Sequence, residues 1–280
     1  MLSAIIDRYF IKQPRLREAV TKLLYGNRDR DVDLFQHAVR INELRENGYL
    51  RASRRVRTLS LFRDEALTMQ HLMLFVRPGM TFVDVGANIG IFSILMSDVR
   101  RIYPDFGIVA FEANPDTYSR LTENARRFGF TARNVAAGAQ DHRATFIAGA
   151  VSHVATIAEK RNSYSVPGRQ FEMDVRRLDG LDLAGRLFLK IDVEGQEMAV
   201  LQGAERLFAD DRVDAVFIDA CPDLAELRVV LEAYGLLVVD GASLEADGKP
   251  DTLLALRPAA YPGLAALEGR VGGAMREAAE

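Results

Sequence analysis

Two hydrophobic rhythms divide the chain. Up to about residue 75, apolar positions recur at helical spacing. Leu2, Ile5, Ile6, Tyr9 and Phe10 form one set, and Leu34, Phe35, Ala38, Val39, Ile41 and Leu44 form a second that ends before Gly48. Leu67, His71, Leu72 and Phe75 make a third stripe over about 64–76. This pattern predicts a helical region with no strand pair, closed by the turn Arg77-Pro78-Gly79. Beyond it, short apolar runs alternate with amphipathic stretches. Strands are predicted at 81–85, 108–112, 133–137, 187–192, 213–219, 236–240 and 252–256, with helices at 90–99, 115–128, 196–208 and 224–234. Pro115 suits the first turn of its helix. This alternation implies an α/β fold with a seven-stranded, doubly wound parallel sheet. The rhythm breaks over about 138–185, where 144–147 and 170–175 read as an extra antiparallel pair. Between them, SHVATIAEKRNSYSVPG has the polar character of a substrate-side loop. The expected organisation is a helical appendage at 1–76, an α/β domain at 77–258 carrying that insertion, and a tail at 259–280.

Two of these strands end in chemistry. TFVDVGANIG, residues 81–90, runs into an acid and a glycine turn, and VAFEAN, residues 109–114, runs into Glu112. A glycine turn admits close approach of a ligand to backbone. A carboxylate at the next strand tip can hold a ribose diol. A dinucleotide fingerprint needs glycine at the first, third and sixth turn positions, which here are Gly86, Asn88 and Ile91, so only the first is met. The pattern present is Asp84-x-Gly86-x-Asn88-x-Gly90. An acid two residues before the first glycine suits a cationic amino-acid tail, which favours S-adenosylmethionine over a nicotinamide dinucleotide. Asp84, Gly86, Ala87, Asn88 and Gly90 from the first motif, and Glu112, Ala113 and Asn114 from the second, are the candidate cofactor residues.

Composition removes several other classes. The 280 residues carry a net charge of −3, and nearly half are apolar, enough for a sizeable core. Nucleic-acid binding calls for a basic domain with interleaved aromatics, so no nucleic-acid partner is expected. The arginine-rich stretch LRASRRVRTLSLFR, residues 50–63, invites an anionic partner such as a phosphorylated substrate, a nucleotide-sugar or a lipid surface, but the balanced total charge favours a solvated face. A single cysteine, Cys221, allows no intrachain disulfide. No apolar run reaches the ~18 residues of a membrane span. MLSAIIDRYFIKQPRL lacks the pattern of a secretory signal. A cytoplasmic protein is expected, with the N-terminal helices offering a surface for a second copy of the chain.

A third motif adds a family likeness. LFLKIDVEGQEMAVLQGAERLF, residues 187–208, joins DVGANIG and FEANP in the same order along the chain. Together they resemble the FkbM-type S-adenosylmethionine-dependent methyltransferases. That family carries a strand ending in Lys-Ile-Asp-x-Glu-Gly-x-Glu and then a helix with Leu-x-Gly-Ala, matched here by Lys190, Ile191, Asp192, Glu194, Gly195, Glu197, Leu201, Gly203 and Ala204. The resemblance runs from about residue 74 to 219 and implies the class I methyltransferase (Rossmann-like) sandwich. It also implies methyl transfer to a hydroxyl on a sugar, glycan or secondary metabolite. Such enzymes commonly end the fifth strand in Glu, whereas here it is Asp219.

In that fold the crevice lies where strand order reverses, between the strands ending at Val85 and Asp192. A hydroxyl is a weak nucleophile until a base draws off its proton. The candidates are Asp192, Glu194, Glu197, Asp219 and His153, with Asp192, Glu194 and His153 foremost. Asp192 is placed to orient the acceptor or bind the cofactor. Asp141, after the third strand, falls where adenine contacts arise in that fold; the alternative is that the GAQDHR turn binds adenine by backbone alone. Lys190, in a strand buried on both faces, needs a charged partner, and Asp84 on the adjacent strand is the natural one. Asp192, Glu194 and Asp219 present oxygen ligands suited to Mg²⁺, although no spacing demands a metal. Two other readings remain: a non-catalytic adaptor that binds S-adenosylmethionine, and a nicotinamide-dependent Rossmann enzyme.

Overall fold

The computed structural model describes residues 19–20, 22–24, 26–54, 63–148, 155–157, 169–219, 221, 223–241, 244 and 252–264. Among the described residues the first two strands form a hairpin, β1 (Asp29–Leu34) and β2 (His37–Asn42), paired antiparallel from Asp29↔Asn42 to Leu34↔His37. This corrects the helix expected over 34–44. Val32 and Leu34, then Val39 and Ile41, are buried at a spacing of two. The turn between them places Phe35 (φ 52°) and Gln36 (φ 67°) in the left-handed region. A two-residue hairpin needs that geometry, but the sequence carries none of the usual Asn-Gly signal for it. Helices α1 (Asn47–Arg54) and α2 (Arg63–Leu74) follow.

The central sheet is built from β3 (Met80–Val85), β4 (Gly107–Phe111), β5 (Thr131–Arg133), β10 (Arg186–Ile191), β11 (Val213–Ile218), β12 (Leu237–Asp240) and β13 (Leu253–Leu256), in the order β12-β13-β11-β10-β3-β4-β5. Pairing is parallel from β11 through to β5, whereas β13 runs antiparallel between β11 and β12. The sheet has the expected number of seven strands, with this one reversal of direction, and its third strand ends at Arg133, where that strand was expected to begin. The crossover helices are α3 (Ile91–Ser97), α4 (Pro115–Phe128), α5 (Glu197–Gln202), α6 (Glu205–Ala209) and α7 (Leu224–Ala233). Because side chains alternate along a strand, the sheet feeds two cores. Phe82, Phe188 and Phe217 pack toward the hairpin with Ile94 and Leu121, while Val83, Leu189 and Val216 pack toward Val200, Leu207 and Leu227.

The helix expected over 196–208 is broken at Gly203. A Cβ there would lie 2.1 Å from the Gly138 carbonyl oxygen, so glycine lets this turn rest on the loop beyond β5. The expected third strand also splits. β5 stays in the main sheet, and β6 (Ala136–Ala137) leaves it for a second sheet with β7 (His142–Ala148), β8 (Ala155–Ile157) and β9 (Arg169–Arg176), ordered β6-β9-β7-β8. The antiparallel pairing of β7 with β9 is the extra pair anticipated from the sequence.

Candidate active site

β3 and β10 are neighbours in space although about a hundred residues separate them in sequence, and strand order reverses between them. Gly86, with φ 77°, is the contact point of their tips. A Cβ at Gly86 would fall 1.8 Å from the Asp192 carbonyl oxygen, so only glycine lets the two strand ends meet. Above them opens a cavity of about 480 Å³, within the usual range for small-molecule and cofactor sites. Gly86, Asn88, Glu112, Ala113, Asp192 and Glu194 line it, so six of the candidate residues, drawn from three strand tips, come together there.

Beneath the cavity floor lies the pair anticipated from the sequence. The Lys190 ammonium, almost fully buried, sits 3.2 Å from Asp84 Oδ1 and 3.3 Å from Asp192 Oδ2, and donates to the Gly86 carbonyl at 3.2 Å. It also lies 5.0 Å from the centre of the Phe92 ring. Burial alone would make this ammonium easier to deprotonate, but the Asp84 and Asp192 carboxylates outweigh it and hold Lys190 above its ordinary pKa. Asp84 spends its other oxygen on the Ser93 hydroxyl at 2.8 Å. It is fully buried and does not line the cavity. Its position beneath the glycine turn follows from neutralising Lys190.

Glu112 is held by backbone at both oxygens. Asn88 N–H donates to its Oε2 at 2.9 Å and Asn114 N–H to its Oε1 at 2.8 Å. Burial still dominates and raises its pKa to about 7, against the opposing pull of those two N–H groups and of Lys190. Asn88, at φ 53°, reaches its post by adopting the left-handed conformation, and its Oδ1 is buried without a protein partner. An orphaned acceptor in a cavity wall is poised for a ligand's donor.

Ala87, Gly90 and Asn114 serve the surrounding structure and do not line the cavity. Ala87 N–H bonds to the Phe111 carbonyl at 2.9 Å, and a Cβ on Gly90 would come 2.7 Å from Leu121 Cδ1. Asn114 caps α4 by accepting from Asp116 N–H at 3.0 Å. Asp141 also stays out of the lining. It is exposed and accepts from Arg177 N–H at 2.7 Å and from Arg176 at 3.1 Å, contacts that hold it below the usual carboxylate range. His153 lies outside the described residues.

At the other tip, Asp192 and Glu194 face the same space. Glu194 is an exposed residue at φ 52° whose carboxyl is pushed up to about 7, by partial burial and then by Asp192, Glu197 and Asp219. Glu197 is buried and turns back to accept from Gly195 N–H at 3.0 Å, closing the start of α5. Among the described residues, no three acidic, histidine or cysteine side chains are gathered to hold a metal, so the Asp192–Glu194–Asp219 set is not assembled as a Mg²⁺ cradle. Gly138, Ala139 and Gln140 of the GAQDHR turn line the cavity, and the wall that sequence reasoning missed is Ala136 and Ala137, continued by Ala144 and Phe146 of β7. Its only advance signal was the run of small residues in VAAGA, which leaves room for a flat ring.

The model of the methyltransferase FkbM domain matches residues 84–237. The chain belongs to the FkbM methyltransferase family. This FkbM protein is 30% identical over 184 residues to Methyltransferase 1 of Beauveria bassiana, covering 56% of the present chain and 72% of that one. It is 30% identical over 126 residues to the hexuronic acid methyltransferase AglP of Haloferax volcanii, covering 43% of this chain and 48% of that protein. A solved FkbM methyltransferase from Methylobacillus flagellatus aligns with 20% identity and a TM-score of 0.42, over 63% of this chain and 43% of that one. Methyl transfer is the chemistry of the family, and the scaffold here is the seven-stranded α/β sheet described above. Among the described residues, no helix is long and apolar enough to cross a membrane.

Proposed function

We propose that this FkbM protein is an S-adenosylmethionine-dependent O-methyltransferase acting on a hydroxyl of a sugar or glycan. The observation that carries the reading is the cavity joining the doubly held Glu112 to Asp192 and Glu194 across the Gly86 turn. The residues present fit the cofactor. Glu112 keeps free lone pairs on both oxygens for a ribose diol, Asn88 Oδ1 offers an unused acceptor, and the alanine-glycine wall accommodates a purine. When bound, S-adenosylmethionine supplies an electrophilic methyl group on a sulfonium.

The chain's own part is placement and proton handling. The Asp192 carboxylate, backed by Lys190, carries negative charge into the cavity, where it favours cationic groups and orients a hydroxyl. Glu194 is the general base: its ionised carboxylate takes the proton of the acceptor hydroxyl as that oxygen forms its new bond. A carboxyl titrating near 7 is suited to accept a proton at neutral pH. AglP is named for a hexuronic acid, so glycosides carrying uronic acids are the first acceptors to try. The adaptor reading predicts binding without turnover.

The test is isothermal titration of the protein with S-adenosylmethionine, NAD and NADP in parallel, followed by methyl transfer to uronic and neutral glycosides. Saturable binding of S-adenosylmethionine alone, with label appearing on a glycoside oxygen, supports the reading. Binding of a nicotinamide cofactor instead would sink it, and cofactor binding with no turnover on any hydroxylated acceptor would favour the adaptor.

A further inference from the structure

We propose that the hairpin β1–β2 fixes both backbone donors of the Glu112 carboxylate, with Asn124 and Glu46 as its positioning residues. Neither residue lines the cavity, and the inference rests on Glu112 being the cofactor's ribose carboxylate.

The first donor is Asn88 N–H, whose turn is anchored from behind. Asn124, in α4, is fully buried. Its Oδ1 accepts from Arg40 N–H at 2.8 Å, and its amide donates to the Arg40 carbonyl at 3.1 Å and to the Ile89 carbonyl at 2.8 Å. One side chain thus ties β2 to the carbonyl of Ile89, the residue after Asn88 in the same turn. Asn88 occupies a sparsely populated backbone region that persists only when its surroundings impose it.

The second donor, Asn114 N–H, stands at the start of α4. Glu46 follows β2 and is buried. It accepts from Asn42 N–H at 2.6 Å and pairs with Arg120 at 2.7 Å. Arg120 in turn donates to the Asp116 carbonyl at 2.8 Å, in the first turn of the helix that Asn114 caps. One arm therefore runs from β2 through Asn124 to the Ile89 carbonyl beside Asn88, and the other from the end of β2 through Glu46 and Arg120 to the Asp116 carbonyl in the turn that starts at Asn114. Stiffness at both donors keeps the carboxylate aimed and ionisable, which lowers the ordering cost when a ligand binds.

The experiment reads Glu112 directly, by carbon-13 NMR titration of its carboxyl in the ligand-free protein, alongside S-adenosylmethionine affinity by calorimetry. The charged groups that face Glu112 from neighbouring strands, Lys190 and Asp84, stay unchanged in every variant. Asn124→Ala is expected to move the Glu112 midpoint to higher pH and to weaken S-adenosylmethionine binding about fivefold to tenfold, the scale of one lost hydrogen bond. Glu46→Gln, which keeps size and only one of the two acceptor oxygens, moves both in the same direction by less, and carries the test if Asn124→Ala does not fold. Leu227→Ala, in the opposite core, is the control: it lowers the melting temperature and leaves the Glu112 midpoint in place. A midpoint unmoved in both hairpin-arm variants, or moved equally by Leu227→Ala, overturns the inference. Wild-type protein that binds no S-adenosylmethionine fails the cofactor reading instead, and the NMR titration alone then decides the positioning role.

Discussion

Glu112, beyond the tip of β4, is sealed into the protein with an N–H on each oxygen, whereas Glu194, past the tip of β10, is exposed among other acids. Both carboxyls are displaced upward to about 7, the first despite strong hydrogen bonding and the second with help from like charges. The same acidity therefore has two meanings. A carboxylate with both oxygens pinned is a fixed acceptor suited to holding a ligand, and one free of such restraint is suited to exchanging a proton. Lys190 sits beneath the strand tips, paired with Asp84 and Asp192, and supplies the positive charge for a crowd of acids.

The harshest way to break the comparison is to remove that shared ion. Lys190→Met leaves Asp84 buried without a counter-charge, and a loss of about 3–5 kcal/mol in stability is expected from chemical denaturation. Glu112→Gln comes next. A buried carboxyl whose folded pKa lies above its unfolded value stabilises least when ionised, so its contribution falls as pH rises from about 4.5 through about 7. The stability difference should therefore shift in the variant's favour by up to about 3 kcal/mol between pH 4.5 and 8, while S-adenosylmethionine affinity drops. Denaturation curves at a series of pH values check the sign.

Glu194→Gln should sharpen the contrast. Turnover falls about a hundredfold with cofactor affinity kept, and the rise in rate as pH increases through about 7 disappears from the kcat profile. Equal losses in binding and turnover would contradict the division of labour between the tips. The smallest effect is expected at Asp141→Ala, whose exposed carboxylate serves Arg176 and Arg177. S-adenosylmethionine affinity should not change there, and any measurable loss would give Asp141 back its place near the adenine.

What the sequence made legible follows the same physics. Strands buried on both faces, such as Arg186–Ile191 and Val213–Ile218, announce themselves as largely apolar runs, interrupted by Lys190 and Asp214. The Lys190–Asp84 pair was readable because a charge in such a strand demands a partner. The hairpin was not readable. Val32, Leu34, Val39 and Ile41 alternate, but Phe35 and Ala38 filled in a helical spacing, and the turn at Phe35-Gln36 lacks glycine or asparagine. Asp84 was expected at the cofactor because it stands two residues before the first glycine, and Asp141 because it follows the third strand. Which way a carboxylate turns depends on cations brought near by folding, Lys190 in one case and Arg176 in the other, and one-dimensional spacing does not carry that information.

The contact between Gly86 and the Asp192 carbonyl also orders events in time. The glycine turn is synthesised about a hundred residues before the backbone it must touch, and the four strands of the second sheet emerge between them. A nascent chain ending short of β10 has its first nucleotide-binding motif complete in sequence and absent in space. Ligand capture by such a chain can begin only after β10 zips against β3, which makes cofactor retention by ribosome-stalled fragments of increasing length a clock for closure of the sheet.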